Sequence, residues 1–253
     1  MQKKMSMYKL GLVGTPLTHS FSKKYFENKF NKEKIDNFSY NLYDLKNIRE
    51  LDIICNEGLV GLNVTQPYKK QIIQHLDELD VLANKTQSVN TVFINPKTKK
   101  KIGYNTDIIG FEKLLQKISL HQDIQALILG SGGVSNTISY VLNKKQITYS
   151  IVSRKPKYNM LSYQDINNVI SDFKLIINTT PVGQYPNINT KPILPYHLIS
   201  NKHHFIDLIY NPKKTMLLKT VEKKGATIIN GQEMFVAQAE ASFKIWTKCL
   251  KKI

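Results

Sequence analysis

The sequence predicts an α/β architecture in two parts, and three observations predict it. Strand-like and helix-like segments alternate along the 253 residues, the pattern made by sheets covered with helices. Hydrophobic residues make up 42% of the chain, ample for a real core in one large or two small domains. The pattern also restarts at Gln125–Leu129 after a polar break at Ser119–Gln122.

In the first part, Leu10–Val13, Phe38–Tyr43, Leu59–Val64, Ser88–Ile94 and Lys101–Tyr104 are apolar runs of strand length. Asn95-Pro96-Lys97-Thr98 supplies turn chemistry between the last two. Phe21–Phe30, Tyr68–His75 and Ile108–Ile118 read as the intervening helices. In the second part, the strands Gln125–Leu129 and Thr148–Val152 bracket a helix that begins after a glycine turn. Glu233–Leu250 carries Met234, Ala237, Ala241, Ile245 and Trp246 as a helical stripe, with Phe243 and Trp246 expected to face a core. The expected division is residues 1–106, with the helix over 232–253 returning to them, and residues 107–231.

Composition narrows the function. No run approaches ~18 consecutive apolar residues, so no membrane span is expected. Met1–Met7 lacks the apolar core of a signal segment and reads as a loose extension. Cys55 and Cys249 show neither disulfide density nor metal spacing, which makes a cytoplasmic setting the expectation. The net charge of +17 invites a nucleic-acid reading. It is set aside because the lysines are spread along the chain without interleaved aromatics. No metal site is expected: His19 reads as a loop residue and His203-His204 as surface.

The run Asn63-Val64-Thr65-Gln66-Pro67-Tyr68-Lys69 places a lysine just past a strand that Thr65-Gln66-Pro67 stops. Pro67 cannot continue the ladder and can open a helix. The carboxyl edge of an open α/β sheet is where ligands bind. Asn105-Thr106-Asp107 sits at a similar place after the strand ending at Tyr104. Lys69 and Asp107 could therefore form one acid/base pair. Against this, 34 of the 36 basic side chains are lysine, Arg49 and Arg154 being the others, so most lysines must be solvated surface.

Ala126–Leu129 followed by Gly130-Ser131-Gly132-Gly133-Val134-Ser135 is strand, glycine turn and helix. One glycine permits the tight turn, another lets the backbone approach a pyrophosphate, and the helix N-terminus favours that charge. Ser135 stands in the third small-residue position. An NAD-type site wants an acid at the tip of the next strand to hold ribose hydroxyls. From Gly130 to Lys155 there is no Asp or Glu, and Ser153-Arg154-Lys155 closes that strand instead. A guanidinium binds phosphate oxygens in a fork. NADP(H) is the cofactor this predicts.

With these motifs in order, the chain resembles the shikimate dehydrogenase family from about Tyr8 to Leu250. Thr18-His19-Ser20-Phe21-Ser22 is similar to the family's serine pair, and Asn63–Lys69 to its lysine motif. Val89-Asn90-Thr91, Asn105-Thr106-Asp107, Asn178–Gly183, Asp207–Pro212 and Asn230–Gln238 match its further signatures. The resemblance implies an N-terminal α/β substrate domain and a Rossmann-type NADP-binding domain, with an active-site cleft between them. It implies NADPH-dependent reduction of 3-dehydroshikimate to shikimate, on the route to chorismate and aromatic amino acids, by a monomer or homodimer. Lys69 and Asp107 would flank the reacting carbon. Ser20, Ser22, Thr65, Asn90, Asp107 and Gln238 would hold carboxylate and hydroxyls, with Tyr210 near the ring. Gly130, Ser131, Gly132, Gly133, Val134, Ser153, Arg154, Lys155, Thr179 and Gly231 would line the cofactor.

Three departures stand out: Lys23 where the family usually has proline, Ser153-Arg154-Lys155 for Asn-Arg-Thr, and Gln87-Ser88 for Gly-Ala. Only the second bears on cofactor preference. Quinate or an amino-shikimate on the same fold is the nearer rival, and a basic nucleic-acid-binding protein with a dehydrogenase-like fold the distant one.

Overall fold

The computed structural model describes residues 7–18, 20–118 and 124–253. His19, the break at Ser119–Gln122 and most of the N-terminal extension lie outside the described residues. Contacts divide the chain into two units, Met1–Thr106 with Ala239–Ile253, and Asp107–Gln238.

The first unit runs β1 (Tyr8–Gly14), α1 (Ser22–Glu33), β2 (Phe38–Asp44), α2 (Leu51–Cys55), β3 (Leu59–Val64), β4 (Glu78–Leu79), α3 (Val81–Thr86), β5 (Thr91–Ile94) and β6 (Lys101–Tyr104). Its sheet has the order β2-β1-β3-β5-β6-β4. β1 is parallel to β2 and β3, while β5 is antiparallel to both its neighbours. That inversion has a consequence for chemistry. The start of β5 shares one edge with the ends of β1, β3 and β6: Val13 lies level with Val64, Asn63 with Thr91, and Thr91 with Tyr104.

Side chains alternate across this sheet as the pleat requires. Leu62, Val64, Val92 and Ile94 join one buried cluster, and Val60 and Phe93 the other. Two expected elements are shorter than the sequence suggests. The run Tyr68–His75 is helical only as a 3-10 turn over Gln71–His75. The carbonyl of Lys69 accepts the Val89 N–H at 2.8 Å, a long-range bond outside any helix. The strand expected over Ser88–Ile94 starts at Thr91, because α3 ends in left-handed Gln87 immediately before it.

The second unit runs α4 (Asp107–Leu115), β7 (Ala126–Leu129), α5 (Gly133–Lys144), β8 (Tyr149–Val152), β9 (Met160–Leu161), α6 (Ile166–Val169), β10 (Leu175–Asn178), β11 (His204–Asp207), α7 (Met216–Glu222), β12 (Thr227–Asn230) and α8 (Gln232–Leu250). All pairs in its sheet are parallel, in the order β12-β11-β10-β7-β8-β9. This is the doubly wound Rossmann order, reversing direction at β7. β7 and β10 are buried along their whole length, which is why they read as continuous apolar runs.

α8 belongs to both units, with Gln238 its last residue in the second and Ala239 its first in the first. Its buried positions are Met234, Ala239, Ser242 and Trp246, whereas Ala237, Ala241 and Ile245 are only half-buried. The expected stripe is displaced because a serine occupies the buried face, where hydropathy cannot register it. Trp246 packs on Phe26 at 5.8 Å and donates from Nε1 to the Val92 carbonyl at 2.9 Å. His203 is buried rather than on the surface, since its Nδ1 accepts the Ser200 N–H at 3.1 Å and closes the turn before β11.

Candidate active site

One edge of the first sheet gathers the polar residues that the sequence singles out. After β1, the Ser20 N–H bonds to the Leu17 carbonyl at 3.0 Å, and Ser22 opens α1 with its N–H toward Ser20 Oγ at 3.3 Å. Asp44, at the end of β2, steadies this loop by accepting the Leu17 N–H at 3.0 Å. Hydrogen bonds from the Thr15 hydroxyl and from Leu17 hold the Asp44 carboxyl below the usual carboxylate range. Sequence reasoning missed Asp44, since a lone acid at a strand end looks like surface.

After β3, half-buried Thr65 donates its N–H to Val13 O at 2.9 Å. Tyr68 is buried and its hydroxyl donates to the Leu45 carbonyl at 2.6 Å. Lys69 is half-buried. Its backbone is held on both sides, through Tyr68 and through Val89, so the lysine stem starts from a fixed base on the edge. Asn90, next to Val89, is buried and immediately precedes β5. Asn105 and Thr106 follow β6, both buried, and the Asn105 side chain donates to Thr86 Oγ1 at 2.8 Å. Ser20, Ser22, Thr65, Lys69 and Asn90 thus share the edge made by β1, β3, β5 and β6.

The second unit contains the remaining expected residues. Asp107 is buried and is the first residue of α4. Gly130 has φ of +104° after β7, and a side chain there would press on Thr179 Oγ1 and Thr180 Cγ2 at 2.9 Å. Thr179, past the end of β10, donates from Oγ1 to the Leu129 carbonyl at 2.7 Å and so braces the same turn. Ser131 Oγ lies 3.0 Å from Ser153 Oγ, which ties the glycine turn to the tip of β8. Ser135 is buried and donates to the Gly132 carbonyl at 2.6 Å. Its hydroxyl is therefore satisfied locally, which explains how serine fits a slot for small residues.

Arg154 and Lys155 are exposed at the β8 tip. The first turn of α5, with Gly133 and Val134, has no side-chain cap, and nothing lies within 4 Å of a Cβ built on Gly132. Uncapped N–H groups, open space above the turn and cations without a nearby sequence acid fit an anionic dinucleotide.

Further round this unit, a side chain on Gly231 would collide with the Leu208 carbonyl, and its N–H bonds to Ile209 O at 3.1 Å. The ends of β11 and β12 are joined by that close approach. Tyr210 stacks on Phe235 of α8 with centroids 4.7 Å apart, and burial pushes its phenol up to about 12. The Gln238 side chain donates to Phe235 O at 2.9 Å. Phe235 was given no role by sequence, yet it contacts both. Asp207 is fully buried and accepts from Thr215 Oγ1 at 2.6 Å, Asn178 Nδ2 at 3.0 Å and Ile209 N at 3.2 Å. Burial outweighs those bonds and pushes its carboxyl up to about 6. Among the described residues, no three His, Cys, Asp or Glu side chains form a metal-holding group, and no helix is long and apolar enough to cross a membrane.

Comparison with known proteins agrees with this arrangement. The family model of the shikimate dehydrogenase substrate binding domain matches residues 12–92. The NADP(+) shikimate dehydrogenase of Methanococcus vannielii is 36% identical over 94% of this chain and 90% of its own length. That of Staphylococcus aureus is 38% identical over 94% and 92%. A crystal structure of a shikimate dehydrogenase with NADP+ superposes with a TM-score of 0.83 at 33% identity, covering 96% of this chain and 90% of that one. The Thermus thermophilus enzyme in complex with NADP(H) and shikimate gives 0.83 at 25% identity, covering 96% and 94%.

Proposed function

Because the chain belongs to the shikimate dehydrogenase family, we propose that it interconverts 3-dehydroshikimate and shikimate with NADP(H), on the route to chorismate and aromatic amino acids. The observation that carries this reading is the sorting of polar residues onto two sheet edges. One edge is lined with neutral hydroxyl and amide groups around Lys69, and the other has an open glycine turn beside an acid-free basic tip.

In this reading the first unit is the substrate domain and the second the cofactor domain. The Ser20 and Ser22 hydroxyls donate to the substrate carboxylate. Thr65, Asn90 and Gln238 hold ring hydroxyls, the Asp107 carboxylate accepts a hydroxyl proton, and Tyr210 lies beside the ring. Gly130–Val134 and the start of α5 take the pyrophosphate, Thr179 and Gly231 shape the adjoining wall, and Ser153, Arg154 and Lys155 take the 2′-phosphate. NADPH supplies the hydride when bound. Reduction of the ketone turns its oxygen into an alkoxide, which needs charge stabilisation and a proton. The Lys69 ammonium supplies both from Nζ. The setting proposed is the cytoplasm, supported by the free thiols of Cys55 and Cys249, with the chain acting as a monomer or homodimer.

Initial rates at the reduced-nicotinamide band, with shikimate or quinate and NADP or NAD, test the reading. Shikimate with NADP is expected to be the best pair. Faster oxidation of quinate would overturn the substrate, and equal use of NAD would overturn the role of the β8 tip.

A further inference from the structure

We infer that Asp207, at the carboxyl end of β11, is a positioning residue for the cofactor, its Oδ1 holding two segments of the nucleotide edge, Thr179–Thr180 and Leu208–Tyr210, in place. The inference rests on the function proposed above.

Asp207 and Asn178 lie level on neighbouring strands, and both are fully buried. At pH 8, above the value of about 6 to which burial pushes it, the Asp207 carboxyl is ionised and only accepts. Its two oxygens divide their partners. Oδ1 takes Asn178 Nδ2 at 3.0 Å and the Ile209 N–H at 3.2 Å, while Oδ2 takes the Thr215 hydroxyl at 2.6 Å. Thr215 caps α7 by accepting the Leu218 N–H at 3.3 Å. Oδ2 thus serves a helix start, and Oδ1 serves the cofactor edge.

The Asn178 link leads to the glycine turn. Asn178 Oδ1 accepts the Thr180 N–H at 3.1 Å and the Thr180 hydroxyl at 2.7 Å. Those contacts decide which end of the amide faces Thr180, and Asp207 supplies the acceptor that the other end needs. Thr180 Oγ1 accepts the Val182 N–H at 3.3 Å, and Thr180 Cγ2 would stand 2.9 Å from a Cβ on Gly130. The placing of Thr180 therefore sets how closely its loop approaches the turn.

The Ile209 link leads to Gly231, whose N–H reaches the Ile209 carbonyl at 3.1 Å. Main-chain bonds such as Leu208 N–H to the Asn178 carbonyl, at 3.1 Å, join the strand ends. They use neither the Asn178 amide nor the Ile209 N–H. Without Oδ1 both donors would be buried with no acceptor, and each regains one only by leaving its present place. For Asn178 that means giving up Thr180.

The test is NADPH titration at pH 8, followed by nicotinamide fluorescence, with melting temperatures measured in parallel. Asp207→Ala is expected to raise the NADPH dissociation constant about tenfold. Asp207→Asn should bind nearly as tightly as wild type. Its amide oxygen still accepts from Asn178 and Ile209, while its amide nitrogen turns to Thr215 Oγ1. Thr215→Val cuts only the Oδ2 bond and the α7 cap, so it should lower the melting temperature and leave the constant in place. A merely structural Asp207 would move melting temperatures and no constant. An unchanged constant in folded Asp207→Ala, binding by Asp207→Asn as weak as by Asp207→Ala, or an equal loss in Thr215→Val would each overturn the inference. Should Asp207→Ala not fold, Asn178→Ala breaks the chain at its next link. The same loss is expected there, and an unchanged constant would overturn the inference. A wild type that binds no NADPH would instead sink the cofactor reading on which the inference rests.

Discussion

The two sheet edges offer polar groups of different kinds. On the first unit's edge, buried side chains are bonded to one another: Asn90, Thr91, Thr106 and Ser242 are linked by hydrogen bonds, and Tyr68 pins the turn that bears Lys69. On the second unit's edge, the groups offered are backbone N–H groups of α5 and long exposed cations at Arg154 and Lys155. A small ring with several hydroxyls must be read in detail, which rewards rigid side chains in set orientations. A dinucleotide offers pyrophosphate and 2′-phosphate charge, which helix ends and guanidinium bind with less geometric demand.

The contrast can be broken or sharpened by substitution. The largest effect is expected at Lys69. Lys69→Ala should lower kcat by about 10²–10⁴-fold, the range for losing a general acid, in steady-state reduction of 3-dehydroshikimate. A loss confined to the Michaelis constant for NADPH would assign Lys69 to the wrong edge.

Next comes Asp207, a buried carboxylate of the second unit that accepts from two side chains and one backbone N–H. Its folded value of about 6 lies above the ordinary 3.8, so between these values the folded chain holds a proton that the unfolded chain has released. Stability should therefore fall as pH rises from ~4 to ~6, by roughly 3 kcal/mol, and level off above. Denaturant melts of Asp207→Asn across that window should lack this fall. An unchanged slope would mean that Asp207 is not its source.

Arg154→Ala should raise the Michaelis constant for NADP about tenfold and leave NAD use nearly unchanged, because an exposed charge-assisted bond is lost. Equal loss with both cofactors would remove the 2′-phosphate from its role. The smallest effect belongs to Ser88, whose buried hydroxyl has no hydrogen-bond partner. Ser88→Ala should raise stability by about 1 kcal/mol in thermal or denaturant unfolding, as an unsatisfied group is removed. Destabilisation instead would mean that the hydroxyl has a partner.

Much of this was legible in the sequence where one element speaks for itself. The β7 run Ala126–Leu129 is apolar throughout because both sheet faces are covered, and Gly130 declares the turn that follows. Lys69 was readable as a strand-edge residue, whereas Asn90 was singled out only by the family resemblance. What stayed hidden depends on contacts distant in sequence. The turn at Tyr68–Lys70 looks helical until Val89 claims the Lys69 carbonyl. Ser242 looks like a solvent-facing position on α8, and only the fold brings it to Thr91, 151 residues away. Asp44 was overlooked and His203 was read as surface for the same reason: their partners, in the loop at Thr15–Leu17 and in the turn at Ser200, are set by the fold.

The most direct test of the division between the edges is the NADPH dissociation constant, titrated for the wild type and for Lys69→Ala. The same constant is expected for both proteins, with turnover lost only in the variant. A variant that loses NADPH affinity along with turnover would contradict it.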